Sequence, residues 1–318
     1  MLKKTPRRNW LSTCVLALFA FAPACGAQPA PASQSTQVLE IDNIAIRADF
    51  PDPAFTAGMP VLLEWIERSL RIVTGYYDRF PAQRLHLRVL MNEGAGVQGG
   101  TTWGTPEALI RVRVGRNATA EELLHDWILV HEIVHLALPE VGRRHNWLAE
   151  GVATYVEGVA RVQAGNRNAA DVWAELMRAM PQGLPKSGDE GLDNTHTWGR
   201  TYWGGALFCL LADVEIRRQT DGRLGLQDAL RAVANASNGL AADWSIEKVF
   251  ATGDAAVGVR VLQPLYEQMR DKPMTPDLTA LWRELGIERR GSSVVLHEDA
   301  PLAAVREGIM RKSNAMTR

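Results

Sequence analysis

The residues best placed to do chemistry lie at His131-Glu132-Ile133-Val134-His135, inside a stretch (119–138) whose apolar spacing is helical. Spacing of i and i+4 puts both imidazoles on one helix face with their Cβ atoms about 5–6 Å apart. Two nitrogens at that separation can converge on one cation at about 2.0–2.1 Å, the usual zinc–nitrogen distance. Glu132 sits beside the first imidazole, where a carboxylate can act as general base toward a water on the metal. Ile128, Leu129, Ile133, Val134, Leu136 and Leu138 make this helix apolar on most sides, so it is expected to be buried. Two buried imidazoles and a carboxylate need polar partners, and a metal ion supplies them. Thr119 is the expected N-cap, with Glu122 completing a capping box.

The third ligand is not a histidine six residues after His135, because Val141 stands there and Leu138 replaces the glycine of that pattern. A carboxylate from a following helix is the alternative. Glu150 opens such a helix, next to Gly151, which permits close backbone approach. Residues 147–157 read Trp-Leu-Ala-Glu-Gly-Val-Ala-Thr-Tyr-Val-Glu. They resemble the second zinc helix of the aminopeptidase-N-like gluzincin metallopeptidases, W-L-N-E-G-F-A-T-Y-V-E, at nine of eleven positions. The resemblance implies one zinc ion held by His131, His135 and Glu150. It also implies a peptidase MA-like catalytic domain and a peptide or protein substrate.

Downstream, Thr201-Tyr202-Trp203-Gly204-Gly205-Ala206-Leu207 resembles the helix of the glycyl-aminopeptidase-like gluzincins that carries a tyrosine before a glycine-alanine pair. Tyr202 fits that tyrosine, and a phenol opposite the metal can donate a hydrogen bond to the oxyanion of a tetrahedral intermediate. Two departures bear on specificity. Glu150 follows His135 by fifteen residues where the family usually has nineteen. The family's G-A-M-E-N-W-G strand, whose glutamate holds a substrate amine, corresponds here to Gln98-Gly99-Gly100-Thr101-Thr102-Trp103-Gly104, without an acid. That leaves internal cleavage open, as well as a second reading, an inactive zinc-binding envelope protein that serves as a peptide-binding or scaffold module. The intact Glu132 speaks for turnover. The 98–104 segment is also the candidate edge strand for an extended peptide.

The other histidines match no ligand spacing. His125 reads as a helix-surface residue, His86 and His297 as surface or structural, and His196 as a substrate-contact candidate in the long loop 181–200. His145 is close enough in sequence to approach the site. Glu157 shares a helix face with Glu150 and is a candidate to orient a zinc histidine.

The elements that must position these residues form an α+β arrangement. Residues 38–115 read as a small N-terminal mixed sheet with a helix, with a strand at 38–48, a helix at 60–80 and strands near 85–89 and 109–114. Residues 119–285 read as mainly helical, in eight stretches: 119–138, 147–164, 168–180, 201–219, 224–235, 244–250, 255–270 and 277–285. A single metallopeptidase domain is expected over 38–290, with a strand–helix tail at 291–318. Residues 25–37, rich in Ala, Pro, Gln and Ser, read as a flexible tether.

Residues 1–24 have the layout of a secretory signal, with Lys3, Lys4, Arg7 and Arg8 before the apolar run 11–22. Arg7-Arg8 carries a faint twin-arginine likeness. Cys25 is a candidate lipid-anchored first residue. The expected location is the periplasm or cell envelope, with no membrane-spanning segment in the mature chain. Of three cysteines only Cys209 lies within the fold, so no internal disulfide is expected there. Lys plus Arg (35) nearly balance Asp plus Glu (36), which implies no strongly basic face, so no nucleic-acid partner is expected.

Overall fold

The computed structural model describes residues 34–41, 44–51 and 55–311. The expected signal segment, Cys25 and most of the expected tether lie outside these residues. Five strands form one sheet: β1 (Gln34–Ile41), β2 (Ile44–Pro51), β3 (Arg84–Asn92), β4 (Val97–Trp103) and β5 (Leu109–Gly115). Their order is β1-β2-β3-β5-β4. The pairs β2–β3 and β3–β5 are parallel, while β1–β2 and β4–β5 are antiparallel, so the sheet is mixed. Helix α1 (Met59–Tyr77) makes the crossover between parallel β2 and β3. The alternation read from sequence has a packing cause. Ile46, Ala48 and Phe50, then Leu85, Leu87 and Val89, then Ile110, Val112 and Val114 point inward and share one core with Leu62, Trp65, Ile66 and Leu70 of α1.

The single strand expected at 38–48 is instead the hairpin β1–β2, registered at Ile41↔Ile44, and its first strand takes in Gln34 to Gln37 of the expected tether. The sequence signal was Asp42-Asn43, two residue types that turns favour. Asp49 ties three strands together on the outer face. It accepts hydrogen bonds from Thr36 Oγ1 (2.8 Å) and Arg47 Nε (3.0 Å) and lies 2.7 Å from His86 Nε2. Burial alone would raise its pKa, but these bonds outweigh it and hold the carboxyl at about 2. The folded value lies below the unfolded one, so the contribution is present above pH 4 and is lost as pH falls through about 2. We expect Asp49→Asn to lose about 2 kcal/mol at pH 6 in urea unfolding, the gap closing toward pH 2.

The rest is mainly helical: α2 (Ala120–His125), α3 (Ile128–His135), α4 (Asn146–Gln163), α5 (Ala169–Ala179), α6 (Gly205–Gln219), α7 (Leu226–Ser237), α8 (Ile246–Val257), α9 (Leu262–Met269), α10 (Leu278–Glu284) and α11 (Ala303–Met310). The fold is α+β, as expected. The helix read at 119–138 is broken in two. Asp126 adopts extended backbone and its carboxylate accepts the N–H groups of Ile128 (2.9 Å) and Leu129 (3.1 Å), so it starts α3 afresh. The helix read at 255–270 is likewise divided. Gly258 ends α8 in the left-handed conformation, and α9 begins at Leu262.

A strand that sequence reading did not expect, β6 (Ile287–Arg290), pairs with β7 (Ser293–Leu296). The hairpin crosses the boundary expected at residues 290–291. Beyond it, α11 packs against α4 and α6, and Gln163 Nε2 donates to Ile309 O at 3.1 Å. Cys209 is buried in α6, as a small apolar residue would be, and burial pushes its thiol pKa up. Among the described residues no helix is long and apolar enough to cross a membrane.

Candidate active site

Helix α3 lies between α1 and the edge strand β4. Asp126 fixes it from one end, since the carboxylate that caps α3 also accepts a hydrogen bond from Trp65 Nε1 of α1 at 3.0 Å. His131 and His135 therefore project from a clamped helix. Helix α4 brings Glu150 to them. Its approach depends on a close crossing with α6: a Cβ on Gly151 would lie 2.3 Å from Gly205 Cα, and one on Gly205 would lie 2.1 Å from Trp147 O. No residue larger than glycine fits at either position, which explains the glycine that follows Glu150.

The start of α4 is held by Asp193, a buried residue of the long loop. Its carboxylate accepts from Trp147 Nε1 (2.8 Å) and Tyr266 Oη (2.7 Å) and lies 3.0 Å from His145 Nδ1. His145 is thus occupied away from the two imidazoles. Sequence reading missed Asp193, because a loop aspartate 46 residues from its tryptophan partner has no local signature.

Glu150 Oε2 lies 3.2 Å from His131 Nε2 and 3.6 Å from His135 Nε2. The three donor atoms all fall within 4.8 Å of one another, the one such group of His, Cys, Asp or Glu among the described residues. Donors about 2.0–2.1 Å from a tetrahedral zinc ion sit about 3.3 Å apart, so this donor set fits that ion with little adjustment. The short spacing between His135 and Glu150 is no obstacle to this. Its connection holds a single bridge residue, Glu140, and a brief 3-10 turn at Arg143–His145 before α4 begins.

Electrostatics favour the metal-binding protonation states. Burial pulls the His135 pKa down to about 4, which keeps the imidazole neutral. Burial opposes the charge on Glu150, but the two imidazoles outweigh it and hold its carboxyl below the usual range.

Glu132 occupies a different environment. Its pKa is raised by burial, against the hydrogen bond from Thr102. Thr102 Oγ1 donates to Glu132 Oε2 at 2.6 Å and also lies 2.9 Å from the Glu132 carbonyl oxygen. A Cβ on Gly100 would lie 2.4 Å from Glu132 Cγ, so the missing side chain makes the room in which this carboxylate sits. Two positions of β4 thereby shape the surroundings of Glu132. Sequence reading assigned β4 an edge position, which the sheet shows, but did not connect Thr102 or Gly100 with Glu132.

Tyr202 lies in a π-helical turn, Gly199–Gly204, that leads into α6. Its ring stacks on His131 with centroids 6.2 Å apart, and burial, with the Glu150 charge next, pushes its phenol up to about 12.

Glu157 lines the same hollow as His131 and Tyr202, buried and paired with Arg161 at 3.1 Å. The remaining candidates are the other histidines. His125 contacts Glu121 O on the surface of α2, His86 contacts Asp49, and His297 contacts Glu288. His196 is exposed.

No protein-family model matches the chain, and no curated protein matches it. Solved structures do. An aminopeptidase N family protein from Idiomarina loihiensis superposes with a TM-score of 0.61 at 12% identity, covering 80% of this chain and 49% of that one. This chain has the aminopeptidase N fold. The M1 zinc metallopeptidase of Deinococcus radiodurans shares that fold at a TM-score of 0.51 and 14% identity, covering 77% of this chain and 53% of its own. A variant of that enzyme bound to a Tyr-Ser-Ala substrate gives 0.51 and 15%, with the same coverage. The chain spans about half the length of these structures. Within that fold the sheet supplies Gly100 and Thr102, α3 supplies His131, Glu132 and His135, α4 supplies Glu150, and the turn before α6 supplies Tyr202.

Proposed function

We propose that this chain is a zinc-dependent peptidase. The observation that carries the reading is the convergence of His131, His135 and Glu150 beside a separate buried carboxylate, Glu132, at the open edge of a sheet. His131, His135 and Glu150 would hold one zinc ion, which when bound polarises a scissile carbonyl and acidifies a water. An extended peptide pairs with the free edge of β4, whose backbone groups orient it. Thr102 occupies Oε2 of Glu132, so proton transfer falls to Oε1, the oxygen over Gly100. A carboxyl with a raised pKa can accept a proton from the attacking water and return it to the leaving amine. The Tyr202 hydroxyl donates to the carbonyl oxygen as negative charge grows there. No residue of β4 (Val97–Trp103) carries a carboxylate to pair with a free α-ammonium, which favours internal cleavage.

The proposal is tested by digesting a peptide library with and without a chelator. We expect cleavage that the chelator abolishes and added zinc restores. Zinc binding without cleavage of any peptide would overturn the reading in favour of a peptide-binding envelope protein. The Thr102 contact has its own consequence. Thr102→Val removes a hydrogen bond to a charged group, worth about 1.5–3 kcal/mol, so kcat should fall about 10- to 100-fold with KM little changed. Thr102→Ser should restore most of the loss in steady-state assays.

A further inference from the structure

Two hollows flank the triad of His131, His135 and Glu150. The larger, of about 300 Å³, runs along Trp103, Gly104 and Arg143 on the His135 flank. The smaller, of about 150 Å³, lies on the His131 flank. Its walls are Trp127, Trp198, Tyr202 and Trp203, with His131 on the triad side. The rings are ordered: Trp198 stacks on Tyr202 at 5.7 Å and 27°, Tyr202 stacks on His131, and Trp127 meets His131 edge-on at 5.6 Å. Trp198 is 60% exposed and Trp127 50% exposed, although most large apolar side chains of the described chain are buried. Two open indoles beside a reactive centre form an apolar surface awaiting an apolar partner.

Carboxylates also line this hollow, and they decide between two classes of occupant. Glu157 is paired with Arg161 at 3.1 Å and Glu175 with Arg167 at 2.8 Å. Both acids already have their counter-ion, so the hollow offers no unmatched charge to a lysine or arginine side chain. What remains unsatisfied is aromatic surface, which prefers another ring in offset or edge geometry.

We propose that this hollow is a specificity subsite that takes an aromatic side chain of the substrate, from the residue beside the scissile bond on the His131 flank. Proximity fixes the position, since His131 and Tyr202 line both the hollow and the reactive centre. The proposal rests on the peptidase reading, but its test has an arm that does not. In a positional library of blocked peptides, phenylalanine at one position next to the cleaved bond should give kcat/KM about tenfold or more above alanine, and above lysine and glutamate. Trp198→Ala should reduce that phenylalanine-to-alanine ratio to about threefold or less, and Trp198→Phe should restore it.

Calorimetry provides the second arm. N-acetyl-phenylalanine amide should bind wild-type protein about tenfold more tightly than N-acetyl-alanine amide, and Trp198→Ala should erase the difference. Trp198 is exposed, so its replacement leaves the core intact. A lysine preference, no aromatic preference, or an unchanged ratio in Trp198→Ala would overturn the proposal. Selective binding without cleavage would support the subsite and overturn the peptidase reading alone.

Discussion

Glu132→Gln should abolish peptide cleavage while leaving zinc in place. Glutamine matches glutamate in size, so it keeps its seat over Gly100 and can still accept the Thr102 hydrogen bond. What it loses is the capacity to take and return a proton. General acid–base catalysis contributes about 10²- to 10⁴-fold, so kcat should drop by that factor, with zinc content unchanged. A fluorogenic peptide assay alongside elemental analysis of the same preparation reads both quantities. Wild-type turnover in the variant would remove Glu132 from the mechanism.

Glu150→Ala should have a comparable effect by a different route. The carboxylate is the one anionic donor of the three, and it holds both imidazoles at 3.2 and 3.6 Å. Loss of groups that merely orient a metal ligand costs about 10- to 100-fold in affinity, so loss of a direct donor should cost at least that much. Metal bound only to the folded state stabilises it, by about 2.7 kcal/mol at a free concentration 100 times Kd. The wild-type protein should therefore melt at a lower temperature in chelator, whereas Glu150→Ala should melt at nearly the same temperature with and without it. Scanning calorimetry reads the difference. A chelator-sensitive melting temperature in Glu150→Ala would place the cation elsewhere.

The parts of the site that were legible in sequence are those set by short-range geometry. The i, i+4 spacing alone puts His131 and His135 on one face, and a tryptophan-led segment before Glu150-Gly151 marks the next helix. The rest depends on tertiary pairing. Thr102 meets Glu132 only because the sheet order places β4 at the edge, over α3, and no periodicity in either segment encodes that contact. The break at Asp126 was hidden because apolar spacing continues across it, although an aspartate two residues before Ile128 is a capping signal in itself. Asp193 was invisible for the same reason as Thr102: its partners come from α4 and α9. The hairpin β1–β2 was missed because Asp42-Asn43 interrupts an alternating run, and the strand β6 because Ile287-Glu288-Arg289-Arg290 carries a single apolar residue.

The most direct test is the zinc-to-chain ratio, by native mass spectrometry, of wild-type protein and of His131→Ala, His135→Ala and Glu150→Ala, each reconstituted with zinc and desalted. One ion per wild-type chain and a large deficit in all three folded variants is the expected result. A wild-type chain that takes up no zinc, or three variants that retain a full ion, would contradict a metal centre built from these side chains.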